Sequence, residues 1–323
     1  MTDESKPVAG VVITHAAELL TCVPAPGDRV ERVRDGAVAI QGERIIAAGA
    51  TPDVLAQVDA SAAEVLDASG KIVAPGFVDS HTHLVFGGSR VQEYAARMTR
   101  TPEQVRALGI PTGIGASVDM TRRASTEQLT ASGLERLAQM FRHGTTTVES
   151  KSGYGLTVED ELKMLAVNCA LRRAQPVDVV STFLGAHALP HELPRERYLD
   201  LVVEEMIPRV AERRLAEFCD VYCDVGYFTA DESRRVLEAG QQAGLKPKIH
   251  ADQYSSIGGT RVAIEVGAVS ADHLNYSDRK TMRALAAAGV IGVVTPTLDF
   301  AVRHPRPFDG RAMLDAGMTL ALA

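Results

Sequence analysis

Ile72-Val73-Ala74-Pro75-Gly76-Phe77-Val78-Asp79-Ser80-His81-Thr82-His83 is the stretch from which the rest of the chain is read. It reads as a buried apolar strand that runs into two histidines. Side chains two apart on a strand point to the same side. The imidazoles of His81 and His83 therefore converge on one point, which a divalent metal can occupy as a Lewis acid. A His-x-His pair alone is weak evidence. The Pro-Gly, the apolar run and Asp79 before it make the pattern more specific. The competing reading is two polar residues that close a strand.

N-terminal to this stretch, residues 8–70 form short strand-like runs punctuated by glycine and proline. Gln41-Gly42-Glu43 reads as a tight turn, so 36–49 reads as a hairpin. Residues 1–70 are expected to form a small, β-sandwich-like domain.

C-terminal to it, strand-like and helix-like runs alternate. The strands drawn are 72–79, 145–149, 177–184, 217–223, 246–251, 268–273, 290–295 and 318–323. Capping boxes are read at Ser125-Thr126-Glu127-Gln128 and Thr229-Ala230-Asp231-Glu232. Leu134, Leu137, Met140 and Phe141 are read as the inward stripe behind the first. Thr157 opens a further helix. Gly144, Gly244, Gly267, Gly289 and Gly317 fall where helices should end. Eight such strands over this length predict an α/β chain with a (β/α)8 TIM-like barrel over 71–323. An open doubly wound sheet is the runner-up. It normally carries a glycine-rich phosphate turn after its first strand, where this chain has His-Thr-His.

Composition narrows the function. A net charge of −7 argues against nucleic acid or a membrane surface as the main partner. The polar start, Met1 to Lys6, shows no signal pattern, and no apolar run approaches a bilayer span, so a cytoplasmic protein is expected. Four sparse cysteines without Cys-x-x-Cys spacing are read as reduced. Cys219 and Cys223 share one strand face. Buried small residues are the favoured reading and a metal pair the alternative.

The C-terminal ends of barrel strands line one mouth. Five of the nine histidines fall there: His81, His83, His187, His250 and His273. Each has a plain structural alternative, such as a satisfied core or loop histidine. His15, His143, His191 and His304 are read as solvated. Asp252 and Asp272 alternate away from their neighbouring histidines and are expected to point outward, towards helix N-termini or second partners, rather than at the metal. Three neutral imidazoles and a carboxylate can hold Zn2+ or Fe2+ with one position open for water, which is the equipment of metal-assisted hydrolysis. Arg90 at the mouth would pair with a substrate carboxylate, although a surface arginine fits the sequence equally well. Tyr154, between glycines, sits where it can touch a ligand.

Pro75 to His83 resembles the opening motif of the amidohydrolase superfamily. His143 to Glu149 with Lys151-Ser152-Gly153-Tyr154-Gly155, Thr182 to His187, Lys248 to Gln253 and Ser270 to Leu274 narrow the resemblance to the imidazolonepropionase family. The resemblance runs from about residue 36 to the end. It implies an amidohydrolase-type barrel that hydrolyses the cyclic amide of 4-imidazolone-5-propanoate to N-formimidoyl-L-glutamate, in histidine degradation. It further implies one metal ion, zinc or iron, on His81, His83 and His250, with Arg90 on the propionate. Tyr154, His187 and Gln253 would contact the substrate, and His273 would be the catalytic partner of the attacked group. The substrate is a small anionic imidazolone, and the full-length form would be a homodimer.

Two departures stand out. The family pattern continues from the last strand into Thr-Asp, a metal ligand, whereas this sequence reads Ala321-Leu322-Ala323. Little activity is therefore expected of residues 1–323 alone, with an open barrel edge that favours association. The segment 101–117 also lacks the family's glycine-rich loop, which bears on the exact substrate. A related ring-opening amidase, an aromatic deaminase and an inactive fragment are the alternatives.

Overall fold

A computed structural model describes residues 6–24 and 30–323. The start of the chain, read above as lacking a signal pattern, lies outside them apart from Lys6. The chain divides into two compact units, 1–76 and 77–323.

The first unit is one sheet with a short helix, Thr51–Gln57, packed on it. Its strands are β1 Val11–Leu20, β2 Arg32–Gln41, β3 Arg44–Ala50, β4 Glu64–Asp67 and β5 Ile72–Val73. β1, β2 and β3 run antiparallel in sequence, while β4 and β5 pair parallel to β1. The expected hairpin is β2–β3. Gly42 takes the left-handed conformation its turn requires, at φ 57°. Val12, Ala37, Ala39, Val54 and Val58 form the unit's small core.

The second unit holds eight parallel strands: β6 Phe77–Thr82, β7 Thr145–Lys151, β8 Asp178–Ala186, β9 Phe218–Cys223, β10 Lys246–Ala251, β11 Ser270–His273, β12 Ile291–Val294 and β13 Leu320–Leu322. They pair in sequence order from β6 to β13. The Ser80 hydroxyl donates to the Leu322 carbonyl at 3.3 Å, which brings the first and last strands together in a nearly closed barrel. Helices follow the strands as the alternation predicts. Both expected capping boxes form, and Thr157 accepts from the Asp160 amide. A third box, Thr101 with Gln104, was not foreseen. The five helix-ending glycines all have φ between 60° and 91°. The barrel core is aliphatic, with Leu165, Val221, Ile249 and Leu274 fully buried around Phe183.

Two expectations need correction. The run 72–79 is not one buried strand. Ile72–Val73 joins the first unit's sheet, and a new strand starts at Phe77. Pro75 supplies no backbone donor, so a ladder across it is interrupted. Phe77 and Val78 are 66% and 61% exposed. Of the stripe expected on the helix Thr126–Arg142, Leu137 is buried and Leu134 and Met140 pack against the core, but Phe141 does not. Leu129, Gly133 and Leu137 are buried, whereas Phe141 is 47% exposed. Gly133 permits close packing of this helix on Leu171, since a Cβ there would lie 2.7 Å from it. Among the described residues no helix is long and apolar enough to cross a membrane.

Candidate active site

All five strand-end histidines line one cavity of about 940 Å3. The strands bring them there, and hydrogen bonds set their rings. Thr82 donates to the Glu149 carbonyl at 2.6 Å, fixing the end of β6 on β7. His83 Nδ1 lies 3.1 Å from the Ser152 carbonyl, and His187 Nδ1 lies 3.1 Å from the Gly153 carbonyl. A carbonyl only accepts, so in both rings Nδ1 carries the proton and Nε2 keeps a lone pair. His81 Nδ1 lies 2.7 Å from Asp272 Oδ2, and His250 Nδ1 lies 3.1 Å from Asp220 Oδ1. Those carboxylates select the same tautomer.

The rings are close-set. His81 and His250 have centroids 4.7 Å apart, and His83 stacks on His187 at 4.6 Å. Ligand-capable atoms come within 4.8 Å of one another in two overlapping imidazole groups, His81–His250–His273 and His83–His187–His250. The expected trio of His81, His83 and His250 is thus spread over both, with His250 shared. Burial holds His81 down to about 4 and His187 to about 3, and it also lowers His83 and His273 well below the usual imidazole value. Those four rings are neutral at pH 7, as metal ligands must be.

A metal fits this set on the structure's own terms. His250 Nε2 is buried and has no hydrogen-bond partner among the described residues. A bare, buried acceptor facing other bare imidazole nitrogens is an uncompensated arrangement unless a cation or donor fills it. Nitrogen donors of this kind suit zinc and iron.

Beneath the imidazoles lies a buried charged layer. The Lys151 ammonium lies 2.7 Å from Asp220 Oδ2, 3.1 Å from Asp272 Oδ2 and 3.0 Å from Glu149 Oε1. Lys248 reaches the same Glu149 oxygen at 2.9 Å, and Thr182 donates to it. Burial alone would raise Asp272, but the Lys151 and Lys248 ammoniums hold it well below the usual carboxylate range.

The mouth carries the other expected residues. Arg90 Nε donates to Glu93 Oε2 at 2.6 Å, and its Nη1 lies 3.3 Å from Ser117 Oγ. Glu93 is 2% exposed and also takes Arg97 Nε at 2.8 Å. Tyr154 sits 4.8 Å from the His83 ring, with its hydroxyl raised to about 12 by burial. Its loop is clamped by Glu161, whose carboxylate accepts the Gly153, Gly155 and Leu156 amides. Gln253 Oε1 accepts from Tyr222 OH at 2.7 Å, which leaves the amide N–H groups for a ligand. His273 has φ 79°, and its Nδ1 lies 3.2 Å from Thr295 Oγ1. Gly113 and Ile114, within the segment 101–117, line the same cavity.

Some readings change. Asp272 does not point outward: the left-handed backbone at His273 ends the strand alternation, and both side chains face the site. His304 is buried rather than solvated, packed 4.6 Å from the Tyr254 ring. Cys219 and Cys223 are buried among core side chains, and no candidate metal group among the described residues contains a cysteine. Asp220 was missed, and Glu149, Lys151 and Lys248 were read only as parts of motifs. The available signal was a charge inside an apolar strand, as in Phe218-Cys219-Asp220-Val221.

The comparisons with known proteins bear on the family and the fold. The amidohydrolase family model matches residues 64–108. The imidazolonepropionase of Geobacillus kaustophilus is 46% identical over 295 residues, covering 90% of this chain and 69% of that protein. That of Brevibacillus brevis is 42% identical over 325 residues, covering 97% of this chain and 76% of its own. Among solved structures, a zinc-bound adenosine deaminase from Xanthomonas campestris superposes with a TM-score of 0.64 at 16% identity, covering 99% of this chain and 69% of that one. At that identity the likeness speaks for the fold.

A (β/α)8 barrel with imidazoles gathered at the C-terminal ends of its strands defines an amidohydrolase. Within that class, the chain belongs to the imidazolonepropionase family.

Proposed function

We propose that the site hydrolyses the cyclic amide of 4-imidazolone-5-propanoate to N-formimidoyl-L-glutamate, with His81, His83 and His250 holding one divalent ion, Zn2+ or Fe2+. The observation that carries this is the convergence of imidazoles, one with an orphaned buried Nε2, in a cavity that Arg90 also lines. When bound there, such an ion supplies Lewis acidity and makes water a competent nucleophile near neutral pH.

The chain's own residues do the rest. Arg90, its guanidinium braced by Glu93, pairs with the propionate. The Gln253 amide donates to a ring acceptor. As an amide it takes no proton, so it is not the base. His187 Nε2 accepts from a ring N–H, and the Tyr154 hydroxyl closes the other side. His273 hydrogen-bonds the carbonyl under attack. The water oxygen joins that carbonyl carbon as the ring C–N bond breaks, and the proton passes to the leaving nitrogen.

The test is product analysis on the protein with and without added Zn2+ or Fe2+. The reading predicts N-formimidoyl-L-glutamate only with metal. Release of ammonia without the linear product would replace it with a deaminase. No product with either metal would overturn it.

A further inference from the structure

Lys151 is the largest buried charge that the reaction above does not use. Its side chain is fully buried at the end of β7. It touches three carboxylates, and two of them are the hydrogen-bond partners of candidate metal ligands. Asp272 Oδ2 meets both Lys151 Nζ, at 3.1 Å, and His81 Nδ1, at 2.7 Å. Asp220 meets Lys151 Nζ through Oδ2 at 2.7 Å and His250 Nδ1 through Oδ1 at 3.1 Å. One ammonium therefore joins β6 to β10 through β11 and β9.

We propose that Lys151 is a positioning residue that sets the His81 and His250 imidazoles for metal binding by holding Asp272 and Asp220 beneath them. The inference rests on the assignment of His81 and His250 as ligands.

The physical argument is charge balance in a dry site. Asp220 and Asp272 are both fully buried, with ligand-capable oxygens in one compact group with His250. Two carboxylates so placed repel each other strongly in a low-dielectric interior unless a cation lies between them. Lys151 is that cation. Its removal leaves the pair to relax by moving apart, which withdraws an acceptor from a histidine Nδ1–H. The ring is then free to turn or to change tautomer, and its Nε2 lone pair no longer faces the site. Carboxylate partners of metal-bound imidazoles are known to tune affinity in this way, with losses of about 10–100-fold on mutation. Further bonds hold the carboxylates from outside. Ser270 Oγ donates to Asp272 Oδ1 at 2.8 Å, and the Val221 amide donates to Asp220 Oδ1 at 2.7 Å. Each Oδ2 faces Lys151 and a histidine together: Asp272 Oδ2 also takes His81 Nδ1, and Asp220 Oδ2 lies 3.0 Å from His250 Nδ1.

The test compares wild type with K151M in two measurements that need no substrate. Zinc affinity is measured by competition with a chromophoric chelator. The imidazole tautomers of the metal-free protein are read by long-range 1H–15N NMR. The inference predicts a zinc affinity lower by about 10–100-fold in K151M. It also predicts loss of the hydrogen-bonded Nδ1–H signals of His81 and His250, with those of His83 and His187 retained. Should K151M not fold, K151Q, which keeps a donor without the charge, is measured the same way. Zinc affinity and tautomers unchanged, with only thermal stability lowered, would overturn the inference and leave the functional reading intact. Wild type that binds no zinc would overturn both.

Discussion

Arg90 is the residue whose role is most directly separable from the metal. Its Nε is committed to Glu93 and its Nη1 to Ser117, which leaves Nη2 for the cavity it lines. A charge-assisted pair with the propionate contributes about 1.5–3 kcal/mol. R90M is therefore expected to raise KM about 10–100-fold, with a smaller change in kcat, in steady-state assays; an unchanged KM would place the propionate elsewhere. His187 gives a pH prediction. Folded, burial holds its pKa at about 3, against an ordinary 6.5. Unfolded, it takes up a proton as pH falls through 6.5, while the folded ring stays neutral. Its contribution is complete above pH 6.5 and is lost as pH falls towards 3. Urea unfolding of metal-free protein should show stability falling from pH 7 to 4, and the His187 ring signals should not titrate over that range. At this scale the imidazoles were legible because each ends a strand. The layer below them was not. Whether Asp220, Glu149 and Lys151 meet depends on which face each strand turns inward, and the break in alternation at His273 has no signature in Ser270-Ala271-Asp272-His273-Leu274.

The loop after β7 shows how an element delivers side chains. Gly153 has φ 100°, and a Cβ there would stand 2.8 Å from both the Leu184 carbonyl and the His187 Cβ. Glu161, on the helix Val158–Ala174, gathers the loop amides around that turn. G153A is expected to cost about 1–3 kcal/mol of stability and to displace His187 and Tyr154 together. Thermal melts and KM should both move, and a variant that moves only the melt would show that the loop does not position the substrate. Capping boxes and helix-ending glycines were readable in the sequence because they are local chemistry. The division of 72–79 was less so. The apolar run continues across Pro75-Gly76, and only strand pairing assigns its two halves to different sheets.

For the molecule as a whole, the alternation of runs fixed the number of barrel strands, and the polar ends of those strands fixed the mouth. The segment 101–117 was legible only as a departure. Gly113 and Ile114, at the start of the helix Gly113–Arg123, bring it to the cavity wall in a way that no motif announced. His304 was misread because burial of a loop histidine depends on packing between distant turns. Everything proposed for the site depends on His250, the one imidazole common to both ligand groups. The most direct measurement is the metal content of purified wild type and H250A after equilibration with zinc and removal of excess. About one zinc per chain in wild type, and loss of most of it in H250A with the fold retained by circular dichroism, is the predicted result. Equal zinc in the two proteins, or none in wild type, would contradict the account.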